Sequence, residues 1–206
     1  MEFKISKELE DYQNSINFMD SHINNMISNN QDDLIWFLEY PNIYTYGPLS
    51  NKKDLLKPRK FPVIPSERGG QYTYHGPGQR VVYLMINLKE KSRDIKKFIS
   101  LIESIIIKTL SRVGLNAETS NEHHGIFIKK NNELYKIASI GMKFKKWISF
   151  HGFSLNINPD LENYRGIRPC GLNNNLVTSV KNEGITIEKK IIDDILIDEI
   201  KNHFLK

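Results

Sequence analysis

The chain has 206 residues, of which 39% are hydrophobic and 26% charged, as in an ordinary soluble globular protein. No apolar run reaches the length of a membrane span, and the polar stretch MEFKISKELEDYQ (1–13) predicts neither a secretory signal nor a transit peptide. One cysteine excludes an internal disulfide, so we expect a cytoplasmic protein, and the net charge of +5 favours acidic partners.

The first 29 residues predict one helix, because apolar side chains recur at steps of four and three. They are Ile5, Leu9, Tyr12, Ile16, Met19, Ile23 and Met26. DLIWFLEY (33–40) predicts a buried strand that ends at Pro41. IYTYG (43–47) predicts a loop or short strand, and the Pro- and Lys-rich residues 49–67 a surface excursion.

QYTYH (71–75) and QRVVYLMINL (79–88) predict two strands joined by a Gly/Pro turn. A second helix is predicted from Ser92, its N-cap, to Val113, with Gly114 as the stop. Three strands are then predicted in 125–130, 133–150 and 153–158, and a last helix from Thr186 or Ile187 onwards. Three helices and at least six strands with short turns predict an α+β fold, with a mixed or antiparallel central sheet flanked by helices, in a single domain of residues 1–206.

RGGQYTYHGPGQ (68–79) carries four glycines in twelve residues, as segments do whose backbone approaches a ligand closely. It matches neither the P-loop nor the dinucleotide-binding pattern. The adjacent His123 and His124 point to opposite faces of a strand, and the chain has no second cysteine, so we expect no metal. The glycines therefore predict the wall of a site for an elongated or bulky ligand, to which Tyr72, Tyr74 and Ile140 add apolar surface.

Cys170 lies in the loop sequence RGIRPCGL, between Pro169 and Gly171. A cysteine in a loop is accessible, and the N–H of a following glycine can face a developing oxyanion. Arg165 and Arg168 would stabilise its thiolate. Cys170 is therefore a candidate nucleophile, and the alternative is a small buried cysteine without reactivity.

A thiolate nucleophile needs a base. In LYKIASIG, strand alternation places four residues on one mostly apolar face: Leu134, Lys136, Ala138 and Ile140. Burial disfavours the ammonium, so the pKa of Lys136 should fall and the side chain can act as a base. The alternatives are a one-residue bulge at this point or a lysine that reaches the surface. His75 and His151 are the other candidate bases.

Several segments, in order, resemble the lipoyl(octanoyl) transferases: RGGQYTYHGPGQ, KIASIG, HGFSLNIN, and PCGL followed by VTSV. With DLIWFLEYPNIYTYG, the resemblance covers about Asp33 to Val180. The sequence departs from the family at Tyr40, where many members have histidine, and in QRVVYLMI, where QLVGYPI is more usual. Both departures bear on the shape of the site more than on the reaction.

The resemblance implies an acyltransferase with no cofactor, on a fold related to the biotin and lipoate ligases. It implies that an octanoyl group passes from octanoyl-acyl carrier protein to a lysine of lipoyl domains. Cys170 would form an acyl-thioester, and Lys136 would lower the pKa of its thiol and carry protons. The residues implied to bind the acyl group are Arg68, Gly69, Gly70, Gln71, Tyr72, Thr73, Tyr74, His75, Ser139, Ile140, Gly141, Gly152, Phe153 and Ser154.

The implied partners are the acidic carrier protein and lipoyl-domain proteins such as 2-oxoacid dehydrogenase E2 subunits and the glycine cleavage H protein. We expect a monomer that binds neither nucleic acid nor membrane. Candidates for the surface that docks the carrier are Lys129, Lys130, Lys143, Lys145, Lys146, Arg165 and Arg168. Three alternatives remain: an ATP-dependent lipoate–protein ligase, a non-catalytic acyl-binding module, and a basic nucleic-acid-binding domain.

Overall fold

A computed structural model describes residues 1–28, 31–57, 61–89, 91, 93–169 and 176–204. Its helices are α1 (Tyr12–Ile27), α2 (Ile95–Arg112) and α3 (Lys189–Phe204). Its strands are β1 (Glu2–Ile5), β2 (Leu34–Leu38), β3 (Ile43–Tyr46), β4 (Val63–Pro65), β5 (Thr73–His75), β6 (Gln79–Met85), β7 (Ala117–Thr119), β8 (Ile126–Lys130), β9 (Glu133–Lys145) and β10 (Ile148–Asn156).

The strands form a larger sheet in the order β1-β2-β6-β10-β9-β8-β7 and a smaller one in the order β4-β3-β5. In the larger sheet β1 and β2 are parallel and the other neighbours antiparallel. In the smaller sheet β3 pairs with β4 in parallel and with β5 antiparallel. The predicted α+β fold with a mixed sheet and flanking helices is confirmed. The single domain stays a prediction.

The middle strands of the larger sheet are apolar on both faces because both faces are covered. In β6, Val82 and Leu84 belong to the core beneath α2 and α3, whereas Val81 and Tyr83 belong to a second core that includes α1. This explains why QRVVYLM is a continuous apolar run and not an alternating one. The α1 side of β6 therefore faces the region where the two sheets meet.

The prediction of one helix over the first 29 residues is wrong for its beginning. Residues Glu2–Ile5 form β1, parallel to β2, and Ile5 is 47% exposed. Helix α1 starts only after Asp11, whose side chain caps it by accepting from the Asn14 N–H at 2.8 Å. Ile5 and Leu9 have the spacing of a helix by coincidence. Pairing with β2 makes residues Glu2–Ile5 a strand.

The second helix is shorter at its start than predicted. Its N-cap is Asp94, whose Oδ1 accepts from the Lys97 N–H at 2.9 Å. Ser92, the predicted cap, lies outside the described residues. Gly114 follows the helix with a φ of 88°, which a glycine adopts at low cost, as predicted for the stop.

The predicted strand 133–150 is two strands, because β9 and β10 form a hairpin. Lys146 and Trp147 make its turn with φ of 50° and 68°. QYTYH and QRVVYLMINL contain β5 and β6, as predicted, but these strands belong to different sheets. The HGPG segment (75–78) therefore carries the chain from the smaller sheet to the larger one.

The last helix begins at Lys189, slightly later than predicted, and is tied to β6 by a buried ion pair. Arg80, 1% exposed, donates two hydrogen bonds to the Asp193 carboxylate at 2.8 and 2.7 Å. Glu39 lies 3.9 Å from the same guanidinium and accepts from the Gly78 N–H at 3.0 Å. Among the described residues, no helix is both long and apolar enough to cross a membrane.

Candidate active site

A cleft opens where the smaller sheet meets the α1 side of the larger sheet. Its empty volume, together with the open solvent at its mouth, is about 540 Å³. Its walls come from segments that are distant in sequence: the 68–75 segment, the middle of β9 and the middle of β10. Twelve of the predicted acyl-binding residues line it. They are Arg68, Gly69, Gly70, Tyr72, Thr73, His75, Ser139, Ile140, Gly141, Gly152, Phe153 and Ser154.

Two residues of the predicted set, Gln71 and Tyr74, are not among the lining residues. Strand alternation explains Tyr74, because its neighbours on β5 face the cleft and its own side chain therefore faces away. The Tyr74 hydroxyl donates to Asn42 Oδ1 at 2.6 Å and accepts from Asn163 Nδ2 at 2.9 Å. Tyr74 thus ties the face of β5 that points away from the cleft to Asn42 and Asn163.

Gly152 permits the close approach of β10 to β6 beside the cleft. A Cβ added there would lie 2.0 Å from the Val82 carbonyl oxygen, far inside contact distance. Its partner across the β9–β10 pair is Gly141, whose added Cβ would meet the Gly69 oxygen at 3.0 Å. These glycines bring three strands and the RGG segment together at one point, and this close approach forms the floor of the cleft.

Arg68 holds the glycine-rich segment in shape. Its guanidinium donates to the Thr45 carbonyl oxygen at 2.9 Å and to the Gln71 carbonyl oxygen at 2.8 Å. It also donates to Thr45 Oγ1 and to the Gly69 carbonyl oxygen. The side chain is 9% exposed, so it places a positive charge inside the protein. That charge affects the two histidines of the cleft.

His75 is buried, and its hydrogen bond with Gln79 determines which ring nitrogen carries the proton. Gln79 Nε2 donates to the Tyr74 carbonyl oxygen at 3.1 Å, so Gln79 Oε1 is the atom that faces His75 Nδ1, at 2.6 Å. An amide oxygen only accepts, so Nδ1 carries the proton and Nε2 a lone pair. Burial, and then the charge of Arg68, lower the pKa of His75 to about 4. At neutral pH His75 is an uncharged hydrogen-bond acceptor.

His151 has a φ of 58°, which is uncommon for a non-glycine residue inside a strand. Residues Gly152–Asn156 of β10 pair with β6. On the other side of His151, the Ser149 side chain connects the two strands. Ser149 Oγ accepts from the Ile86 N–H at 3.2 Å and donates to the Leu84 carbonyl oxygen at 2.7 Å. Burial, and then Arg68, lower the pKa of His151 to about 3.

Lys136 is 2% exposed on β9, so the predicted burial is found. The pairing of β9 with β8 shifts register here: Lys136 opposes Phe127 and Ala138 opposes Ile126. A bulge and burial, which the sequence offered as alternatives, therefore occur together. The Lys136 Nζ lies 5.4 Å from the centre of the Phe127 ring.

The backbone of Lys136 pairs with the chain that follows Cys170. Lys136 N–H donates to the Leu176 carbonyl oxygen and its own carbonyl accepts from the Thr178 N–H, both at 2.9 Å. Cys170 lies outside the described residues. Its chain neighbour Pro169 lines the cleft, so the described ends of this segment lie beside the cleft and at the lysine.

Five further residues line the cleft: Tyr12, Val81, Tyr83, His151 and Pro169. Of these, the sequence had singled out only His151, as a candidate base. His151 and Pro169 are the first residues of the segments HGFSLNIN and PCGL, so the resemblance could have identified them as lining residues. Tyr12 could not be found in this way, because it comes from α1 and reaches the cleft only through the packing of that helix. The Tyr12 hydroxyl donates to Ser66 Oγ at 2.7 Å, next to the RGG segment.

The basic residues considered for docking fall into three groups. Lys143, Lys145 and Lys146 lie at the β9–β10 turn, where Lys143 contacts Glu67. Lys129 and Lys130 oppose the start of β9, about 40 Å away along the strand. Arg165 and Arg168 are exposed in the segment before Cys170. These residues are therefore not one continuous patch.

Residues 11–206 match the lipoyl protein ligase A/B catalytic domain family. An octanoyltransferase of Bartonella quintana is 41% identical over 94% of this chain and 82% of its own. One of Zymomonas mobilis is 40% identical over 96% and 92%. The bi-partite lipoate protein ligase of Thermoplasma acidophilum shares the fold, with a TM-score of 0.72 and 12% identity over 98% of this chain and 83% of that one. The chain belongs to the octanoyltransferases of the lipoyl protein ligase A/B catalytic domain family.

Proposed function

We propose that the protein transfers an octanoyl group from octanoyl-acyl carrier protein to a lysine of lipoyl-domain proteins, through a thioester on Cys170. The observation that carries the proposal is the backbone pairing of Lys136 with Leu176 and Thr178. It ties the buried lysine to the chain six to eight residues after Cys170, and Pro169, directly before Cys170, lines the cleft. The proposal assumes a reducing compartment, which favours the cytoplasm for a protein that acts through a free thiol.

In the first step, the Cys170 thiolate attacks the carbonyl carbon of the donor thioester. The carbon–sulfur bond to the carrier breaks, and the carrier leaves as a thiol after it takes up a proton. One thioester replaces another, so the step needs no activation by ATP. Lys136 is the group proposed to exchange this proton, because it is the buried amine tied to the segment that follows Cys170.

In the second step, the neutral amine of the acceptor lysine attacks the Cys170 thioester. An amide bond forms, the carbon–sulfur bond breaks and the thiolate of Cys170 is restored. The amine nitrogen loses a proton during this step, and Lys136 is the proposed acceptor. The uncharged His75 lines the cleft, and its Nε2 is a hydrogen-bond acceptor for the N–H of an incoming amine.

We infer that the acidic carrier docks at Arg165 and Arg168. Both are exposed, and Arg168 comes two residues before Cys170. The Arg168 N–H donates to the Asp54 carbonyl oxygen at 2.8 Å, which fixes the backbone that carries its charge. Lys143, Lys145 and Lys146 lie at the other end of β9, beside the far end of the cleft. We therefore expect these lysines to contribute less to docking.

Charge reversal tests the docking site. Arg168→Glu should raise the KM for octanoyl-acyl carrier protein at least tenfold and leave kcat nearly unchanged, whereas Lys145→Glu should change neither. The KM effect should shrink at high salt, because exposed charges are screened. An equal effect of both substitutions would contradict this docking site and leave the transfer reaction unaffected.

An ATP-dependent ligase is the nearest alternative, because the Thermoplasma protein with the same fold is a lipoate protein ligase described together with its E2 lipoyl domain. The two reactions differ in their need for a nucleophile. With no ATP, the wild type should octanoylate a lipoyl domain from the carrier, and Cys170→Ala should not. Cys170→Ala that works with free octanoate and ATP at the wild-type rate would support the ligase and contradict the transferase.

A further inference from the structure

A second cavity lies next to the cleft, between α1, the 65–67 segment and the beginning of β10. Its empty volume, together with the open solvent at its mouth, is about 820 Å³. Ile16, Met19 and Phe150 give it apolar walls, and Asp20 and Glu67 stand exposed at its rim. Two residues, Tyr12 and His151, border both this cavity and the cleft. These two rings therefore separate the cavities.

Both rings are fixed by several contacts. Besides its hydrogen bond to Ser66, Tyr12 packs on Tyr40 with ring centres 5.2 Å apart. His151 stacks on Phe150 at 5.3 Å and meets the edge of Tyr83 at 5.8 Å. Tyr12 is 4% and His151 3% exposed. A wall held in this way does not open by rotation of one side chain.

The wall stands at the end of the cleft away from Lys136. Along β9, Lys136 meets the segment that follows Cys170, then Ser139 and Gly141 line the cleft, and Met142 opposes His151. Pro169, directly before Cys170 in the sequence, lines the cleft, and an acyl chain that follows β9 away from Lys136 runs towards Tyr12 and His151.

The lined length fits a medium-length chain. Ser139 and Ser154 oppose each other, and the Met142–His151 pair lies three residues further along, about 10 Å at the rise of a strand. An extended chain advances about 1.2 Å per bond, so the seven carbon–carbon bonds of an octanoyl group span about 8 Å. The eleven bonds of a dodecanoyl group span about 13 Å and pass beyond the wall.

We propose that Tyr12 and His151 together set the upper limit of acyl-chain length, by closing the cleft against the second cavity. The inference rests on the proposed octanoyl transfer and adds the residues that determine its specificity. Removal of either ring joins the two cavities, and the apolar surfaces of Ile16, Met19 and Phe150 then accept the far end of a longer chain. Each methylene that leaves water strengthens binding about fourfold.

The test is a competition between octanoyl- and dodecanoyl-acyl carrier protein for transfer to one lipoyl domain. The ratio of the two products is measured in one reaction, so a change in the amount of folded enzyme cancels. His151→Gly is the first variant, because glycine adopts a φ of 58° readily and the backbone is retained. Tyr12→Ala is the second, and opens the same wall from the α1 side.

The dodecanoyl-to-octanoyl ratio should rise at least tenfold in both variants. Adding Ile16→Trp to His151→Gly fills the second cavity and should return the ratio towards that of the wild type. Gln13→Ala, which changes only the rim of the second cavity, should leave the ratio unchanged. An unchanged ratio in both wall variants, or loss of both products in both, contradicts the inference. A wild type that transfers neither chain contradicts the proposed function itself and this inference with it.

Discussion

The backbone N–H of Lys136 donates a hydrogen bond to the carbonyl oxygen of Leu176 at 2.9 Å. This contact joins a buried lysine to a segment 40 residues later in the chain, and the Thr178 N–H closes the pair on the other side. The pairing fixes the strand position of the lysine relative to Leu176, six residues after Cys170 in the sequence. The proposed joint action of Cys170 and Lys136 rests on this pairing between segments that are distant in sequence.

Lys136→Met should lower the rate of octanoyl transfer by about 10²- to 10⁴-fold, the usual contribution of a positioned acid or base. The apolar replacement keeps the length of the side chain and its packing near Phe127. Steady-state transfer from the carrier to a lipoyl domain measures the effect. Lys145→Met, an exposed position on the same strand, is the matched control and should retain wild-type activity. Equal activity of the two variants would contradict the role of Lys136.

Gly125→Ala should impair activity more than its effect on backbone conformation explains. Gly125 has a φ of 124°, and an added Cβ would lie 2.6 Å from the Ala138 carbonyl oxygen and 3.2 Å from Lys136 Cε. Gly184→Ala is the control, because Gly184 has a φ of 85° but its added Cβ meets no heavy atom within 4 Å among the described residues. Both should lose about 1–2 kcal/mol of stability from the left-handed backbone. Only Gly125→Ala should also lose transfer activity at a temperature where both are folded.

Local pattern predicted much of the fold, and the family resemblance supplied most of the residues of the cleft. The alternation of LYKIASIG indicated that Lys136 is buried, and the structure shows it 2% exposed. The apolar spacing of α2 and the glycine at position 114 predicted that helix nearly to its ends. These features depend on neighbouring residues, which a sequence displays directly.

What escaped prediction depends on contacts between distant segments. The HGPG segment has the composition of a hairpin turn, but β5 pairs with β3 and β6 with β2 and β10, so the two strands separate. Tyr12 has the spacing of a core residue of α1 and is also part of the cleft, because the cleft lies beneath that helix. No local pattern distinguishes a core tyrosine from one that also borders a cavity.

The protein should lose stability as the pH falls from 7 to 5. The pKa values of His75 and His151 lie near 4 and 3 in the folded protein, below the usual 6.5, so the unfolded chain binds protons more strongly. Their contribution is present above pH 6.5 and is lost as the pH falls towards 4. Between pH 7 and pH 5 it amounts to about 2 kcal/mol for each histidine.

Urea unfolding of wild type and His151→Asn at both pH values measures this effect, and asparagine tolerates a positive φ. The variant should show a smaller difference between pH 7 and pH 5 than the wild type. His124→Asn, at an exposed histidine, should keep the full difference. If the variant at position 151 keeps the full difference, His151 binds protons equally in the folded and unfolded states, which contradicts the lowered pKa.

Asp193→Ala should destabilise the protein by about 3 kcal/mol, because it leaves Arg80 buried without its bidentate partner. Asp194→Ala removes the neighbouring carboxylate, which is exposed and pairs with Lys190, and should have a much smaller effect. The midpoints of thermal unfolding of the two variants provide the comparison. Similar midpoints would mean that the buried pair does not anchor α3.

Octanoylation of the protein itself tests the central proposal most directly. The wild type is mixed with octanoyl-acyl carrier protein, with no ATP and no lipoyl domain, and its intact mass is measured before and after hydroxylamine. Because the chain has one cysteine, the thioester can form at one position only. The account predicts one octanoyl group, lost with hydroxylamine, absent from Cys170→Ala and passed on when a lipoyl domain is added. A wild type that octanoylates the lipoyl domain while Cys170 never carries the group would contradict it.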